Sequence, residues 1–167
     1  MDKNNLGINA ITAEGEYTIP STKTSKKLLS ENNSISKYLR SHKEAGDFLK
    51  NSLSSSDEEN LYMICLTNEC KILSFEMIQS GDEGSVFIDT DAIIEKAKAQ
   101  KAKKVILAHN HISKLMKYSS EDFYSTEKLS AYFSASSITL MEHFVISGGN
   151  YHGILYDLSD TDNWKLK

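Results

Sequence analysis

The stretch KVILAHNHISKLMKYSSED, residues 104–122, joins an apolar run to two histidines and then, across a short loop, to Ser-x-x-Asp. Val105 to Ala108 form an apolar run bounded by polar residues, which reads as a strand buried on both faces. Side chains alternate along a strand, so Val105, Leu107, His109 and His111 share one side while Ile106, Ala108 and Asn110 share the other. Both imidazoles therefore leave the strand end together. Two neutral imidazoles and one carboxylate, with a fourth position open, make the ligand count of a catalytic zinc rather than a structural one. Asp122 is available as the carboxylate, because it falls in the first turn of the following helix, where the chain returns over the strand end. The same four residues also describe a helix start, with Ser119 as cap and Asp122 as its capping-box partner. What favours the metal is coincidence: Ser-x-x-Asp begins eight residues after His111.

Working outward, DTDAIIEKAKAQKAK (89–103) has acids in its first turn and lysines in its last, which predicts a helix leading into the strand. SEDFYSTEKLSAYFSA (120–135) predicts a second helix behind the loop. Upstream, LYMICL and KILSFEMI are apolar runs joined across TNE, a β-hairpin, and SVFI (85–88) reads as a third strand. Downstream, ITLMEHFVI, the turn SGGN and YHGILY read as two more strands. SISKYLRSHKEAGDFLKNSL (34–53) carries Ile35, Tyr38, Leu39, Phe48 and Leu49 at helical spacing, so one amphipathic helix precedes the core. Residues 1–30, rich in Asn, Ser, Thr and Lys, are expected to form a flexible arm, with one domain over 31–167. The order β-β-β-α-β-α-β-β indicates an α/β domain: a mixed sheet with helices on its faces.

Bulk properties limit what such a domain does. The chain has 167 residues, 40% of them hydrophobic, enough for one real core and too few for two comfortable ones. No apolar run approaches the roughly 18 residues that a spanning helix needs, and the N-terminus has no apolar leader, so a cytoplasmic protein with no membrane partner is expected. Two cysteines, Cys65 and Cys70, suit free thiols in a reducing compartment. A net charge of −4 and a pI near 5.7 give no overall attraction to nucleic acid. Residues 96–120 nevertheless hold seven lysines and no acid. Most complement a helix C-terminus. Lys114 and Lys117 flank the suspected site, either as solvated loop residues or as attraction for an anionic partner.

Other His-x-His chemistries fit less well. A metallo-β-lactamase pattern needs an Asp-His pair where Ser113-Lys114 stands, and amidohydrolase barrels carry the motif on the first strand of a longer chain. The letters HNH match the HNH nucleases only by accident, since that name refers to dispersed residues. His109-x-His111-x(7)-Ser119-x-x-Asp122 behind a buried strand resembles the metal motif of the JAMM (MPN+) metalloproteases, and VILAHNH resembles their RadC branch. FEMIQSG is similar to the segment in which that branch has a Glu five residues before a Gly, here Glu76 and Gly81. LMEHFVISGGNYHGIL resembles the branch's Leu-Leu-Asp-His strand and closing hairpin. The likeness covers about residues 35–156; Ile112 stands where the branch usually has Pro, and KLMKY replaces its Gly-, Asp- and Pro-containing loop.

The resemblance implies a JAMM/cytidine-deaminase-like α/β fold with a mixed β-sheet and flanking helices, and zinc held by His109, His111 and Asp122. It implies hydrolysis of a peptide, isopeptide or similar amide bond in a peptide or protein substrate, with Glu76 as general base and Ser119 as donor to the developing oxyanion. Glu76 shares a strand face with Ile72, Ser74 and Ile78, where a lysine salt bridge is its structural alternative. The alternative function is a non-catalytic RadC-like module associated with DNA repair or mobile elements. The acidic charge, and the lack of a counterpart to the branch's helix-hairpin-helix module, argue against direct DNA contact.

Overall fold

The computed structural model describes residues 38–53, 58–81, 89–112 and 118–158, together with Trp164. The expected N-terminal arm, the third strand at 85–88 and the loop carrying Lys114 and Lys117 lie outside those residues. Five strands are described: β1 (Glu59–Leu66), β2 (Ile72–Gly81), β3 (Lys104–Asn110), β4 (Thr139–Ser147) and β5 (Asn150–Gly153). They form one sheet in the order β2-β1-β3-β4-β5. Only β3 and β4 run parallel; the other neighbours are antiparallel. The sheet is therefore mixed, as the alternation of hairpins and helical segments predicts. Four helices flank it: α1 (His42–Leu53), α2 (Thr90–Ala99), α3 (Ser120–Ala135) and α4 (Ile154–Leu158). Helix α3 is the crossover that a parallel β3/β4 pair requires.

The middle residues of β1 and β3 are apolar on both faces because each strand supplies two cores. Ile64, Leu66, Ile106, Ala108, Phe144 and Ile146 pack with Leu49 and Leu53 of α1 on one face. Leu61, Met63, Cys65, Val105, Leu107 and Leu140 pack with Ile93 and Ile94 of α2 and Leu129 and Phe133 of α3 on the other. Each fully buried aliphatic or aromatic side chain contributes roughly 1.5–3 kcal/mol. Helix α2 has the expected polarity: Asp89 caps it by accepting from the Ala92 amide at 3.0 Å, and Lys96 and Lys98 lie in its last turn.

Two boundaries differ from the sequence expectation. The first helix begins at His42, not in the mid-thirties, and Tyr38 bridges to Lys71 instead. The signal is internal: the Ser41 hydroxyl accepts from the Glu44 amide at 3.1 Å, and the Glu44 carboxylate accepts from the Arg40 amide at 2.7 Å. This cap stops the helix, and the Leu39 amide is left to pair with the Cys70 carbonyl at 2.9 Å. At the other end, the expected strand 151–156 stops at Gly153 and turns into α4. The buried Glu142 carboxylate draws it over, accepting from the Leu155 amide at 2.7 Å and the Tyr156 amide at 2.9 Å. The turn before it is as expected: Gly148 and Gly149 both take positive φ, as a two-residue type I′ hairpin loop demands.

Candidate metal centre

Strand β3 continues one residue beyond His109. Asn110 explains why it holds its line there. Its side chain points away from the imidazoles and is buried, accepting from the Asn60 amide at 3.0 Å and donating to the Glu58 carbonyl at 2.6 Å. On the other side, the His111 amide donates to the Ile146 carbonyl at 2.9 Å. The central Asn thus fastens the segment to β1 and His111 fastens it to β4, so the two imidazoles have little freedom at the backbone.

Both rings project toward α3, as strand alternation requires. His109 Nε2 lies 2.9 Å from His111 Nε2. Asp122 Oδ1 is 3.3 Å from His109 Nε2, and its Oδ2 is 3.5 Å from His111 Nε2. Among the described residues, these three form the one group of acids, histidines or cysteines whose ligand atoms lie close enough to share a metal, all within 4.8 Å of one another. All three are partly buried.

The helix cap coexists with this cluster. Ser119 is the N-cap of α3: its hydroxyl accepts from the Asp122 amide at 3.0 Å, and Asp122 Oδ2 accepts from the Ser119 amide at 2.7 Å. The Ser119 hydroxyl also donates to Asp122 Oδ2 at 2.8 Å. Capping therefore aims the carboxylate while leaving Oδ1 toward His109. Burial opposes ionisation of Asp122, but the His109 and His111 imidazoles, when protonated, and the Ser119 amide donate to it and hold its carboxyl far below the ordinary range.

Glu76 lies on the same face of the sheet as this group, two strands from β3. It is paired across β2 with Met63 of β1, which in turn pairs with Leu107 of β3, and its Oε2 is 3.3 Å from Lys96 Nζ of α2. The lysine pair is present. A different acid lies nearer by register: Leu61 is opposite His109, and two residues back along β1 the same face carries Glu59, level with His111. Glu59 Oε1 accepts from the Ile112 amide at 3.3 Å. Reading β1 from its apolar run alone misses Glu59; the signal was its parity with Leu61 and Met63.

His143 is the other residue whose place the sequence did not reveal. It is buried in β4 opposite Leu107, on the imidazole side of the sheet. Its Nε2 is 2.9 Å from His109 Nδ1, and its Nδ1 is 2.7 Å from Thr126 Oγ1. Desolvation, with the neighbouring His109, keeps the His143 ring well below its ordinary pKa and so uncharged. Thr126 stands one turn after Asp122 on the same helix face, a spacing visible in the sequence.

A family model described as the RadC-like JAB domain matches residues 39–157. The chain belongs to this RadC-like JAB family. The UPF0758 protein of Chromobacterium violaceum is 26% identical over 129 residues, covering 77% of this chain and 58% of that one. The UPF0758 protein of Aquifex aeolicus is 30% identical over 113 residues, covering 68% of this chain and 48% of that one. This RadC-like chain thus spans about half the length of the curated relatives it matches. The matched region contains all five strands and the whole His109, His111, Asp122 group. No helix among the described residues is long and apolar enough to cross a membrane.

The donor set fits a metal such as zinc. Two imidazole nitrogens and a carboxylate converge, and the contact between His109 Nδ1 and the His143 ring stands where an outer partner orients a metal-binding imidazole.

Proposed function

We propose that this RadC-like domain is a zinc-dependent hydrolase of a peptide, isopeptide or similar amide bond in a peptide or protein substrate. The observation that carries the reading is the convergence of His109 Nε2, His111 Nε2 and the Asp122 carboxylate. These three would hold the ion. When bound, zinc supplies Lewis acidity, polarising a carbonyl and lowering the pKa of water. Everything else falls to the protein. A carboxylate must take a proton from the attacking water and return it to the leaving amine. Glu59, on the imidazole face of β1, is better placed for this than Glu76, which answers to Lys96 and sits two strands away from β3. Ser119 keeps its lone pair on the Asp122 amide, and its one proton, given to Asp122 Oδ2, is the donor that an oxyanion would receive in exchange.

Zinc content and turnover, measured on the same preparations with α-peptide and lysine ε-amide substrates, test the reading. We expect about one zinc per chain in the wild type and its loss in His109→Ala and Asp122→Ala. Glu59→Gln should keep zinc and lose on the order of a hundredfold or more in rate, with Glu76→Gln affected much less. The reverse ranking returns the base to Glu76. Zinc bound without any amide turnover would favour the non-catalytic module.

A further inference from the structure

We propose that His143, anchored by Thr126, is a positioning residue that dictates which ring nitrogen of His109 is presented to the centre. The inference follows from counting protons along one chain of hydrogen bonds. The Asp122 carbonyl can only accept, so the Thr126 hydroxyl, 2.6 Å away, spends its single proton there. Its oxygen, 2.7 Å from His143 Nδ1, must then accept, which puts the His143 proton on Nδ1. The His143 side chain is buried between a hydroxyl and a second ring, with no carboxylate bonded to it, so it holds a single proton and its Nε2 accepts from His109 Nδ1–H across 2.9 Å. A neutral His109 is then left with a bare Nε2, and that is the atom facing His111 and Asp122. Every direction in the chain is set by the one acceptor that cannot reverse, the main-chain carbonyl of Asp122.

The chain begins and ends on proposed ligands, running from Asp122 through Thr126 and His143 to His109, and it ties α3, β4 and β3 together at the centre. His143 and Thr126 are both buried, so water does not compete for these bonds. The consequence for metal binding rests on the proposed ligand set; the proton order itself does not.

Nitrogen-15 NMR of the histidine rings in metal-free protein, at a pH where they are neutral, reads the tautomer directly. The wild type should carry the His109 proton on Nδ1. Thr126→Val removes the acceptor and the fixed donor together, freeing His143 to turn over and drive the His109 proton toward Nε2; Thr126→Ser should restore the wild-type pattern. The zinc dissociation constant should rise about 10- to 100-fold in Thr126→Val and recover in Thr126→Ser. His143→Leu should match Thr126→Val, and if it does not fold, the nearly isosteric threonine variant carries the test. Wild-type His109 protonated on Nε2, or a Thr126→Val spectrum unchanged from wild type, would overturn the inference. A wild type with the expected tautomer that takes up no zinc would instead remove the metal reading and leave the hydrogen-bond order standing.

Discussion

At the scale of single residues, Ser119 and Asp122 are where two readings of one motif meet. Ser-x-x-Asp is written in the sequence both as a cap and as the source of a ligand, and the geometry satisfies both, because the cap bonds occupy Oδ2 and the Ser119 hydroxyl while Oδ1 faces His109. Ser119→Ala should therefore cost about 1 kcal/mol of stability, the usual loss for a serine cap. It should also weaken zinc binding by less than Asp122→Ala does, since it loosens a ligand without removing one. A urea midpoint unchanged from wild type would mean that the cap is not in use. His109, His111 and Asp122 were legible because strand parity and helix-start chemistry are local rules. His143 and Glu59 were not, since their positions depend on which strands lie side by side: β4 beside β3, and β1 on its other flank.

At the scale of elements, Glu142 shows how one buried acid decides a boundary. The sequence periods located every described strand and the three longer helices, but extended the last strand to Tyr156. An alternating pattern cannot reveal that a carboxylate from the neighbouring strand will take the next two amides. Glu142 Oε1 accepts from His143 N at 2.8 Å and from Leu155 N, and Oε2 accepts from Tyr156 N. Gly153 is required beside it: a Cβ there would run into His42 Nε2 and the Glu142 carboxylate. Glu142→Gln keeps the shape but turns an amide donor toward at least one of these N–H groups. We expect a loss of about 1–3 kcal/mol, the cost of a buried polar group left unpaired, read as a lowered urea midpoint. Because Glu142 neighbours His143 in β4, the same variant should loosen the His109 contact; a variant as stable as wild type would show that α4 needs no such acceptor.

At the scale of the molecule, a sheet covered by helices on both faces leaves the middle residues of β1 and β3 without solvent, and that decides the behaviour of the Cys65 thiol. Cys65 is fully buried on the α2/α3 side of β1, and burial pushes its pKa from 9.0 up to about 11. Below about pH 9 the thiol is protonated whether the chain is folded or not, and it contributes nothing to pH dependence. Between about 9 and 11 the unfolded chain releases this proton and the folded chain keeps it, so the folded state binds more protons and stability falls as pH rises, by at most about 1.4 kcal/mol per pH unit for one group. Tyr62, raised by burial in the same strand, adds to the fall in the same direction. Cys65→Ala should be less stable overall, because it empties part of the core, yet flatter across this window. Urea midpoints measured in half-unit steps through the alkaline range separate the two effects: the gap between wild type and Cys65→Ala should narrow as pH rises. A constant gap would mean that the thiol titrates alike in both states, and that β1 is not sealed at Cys65.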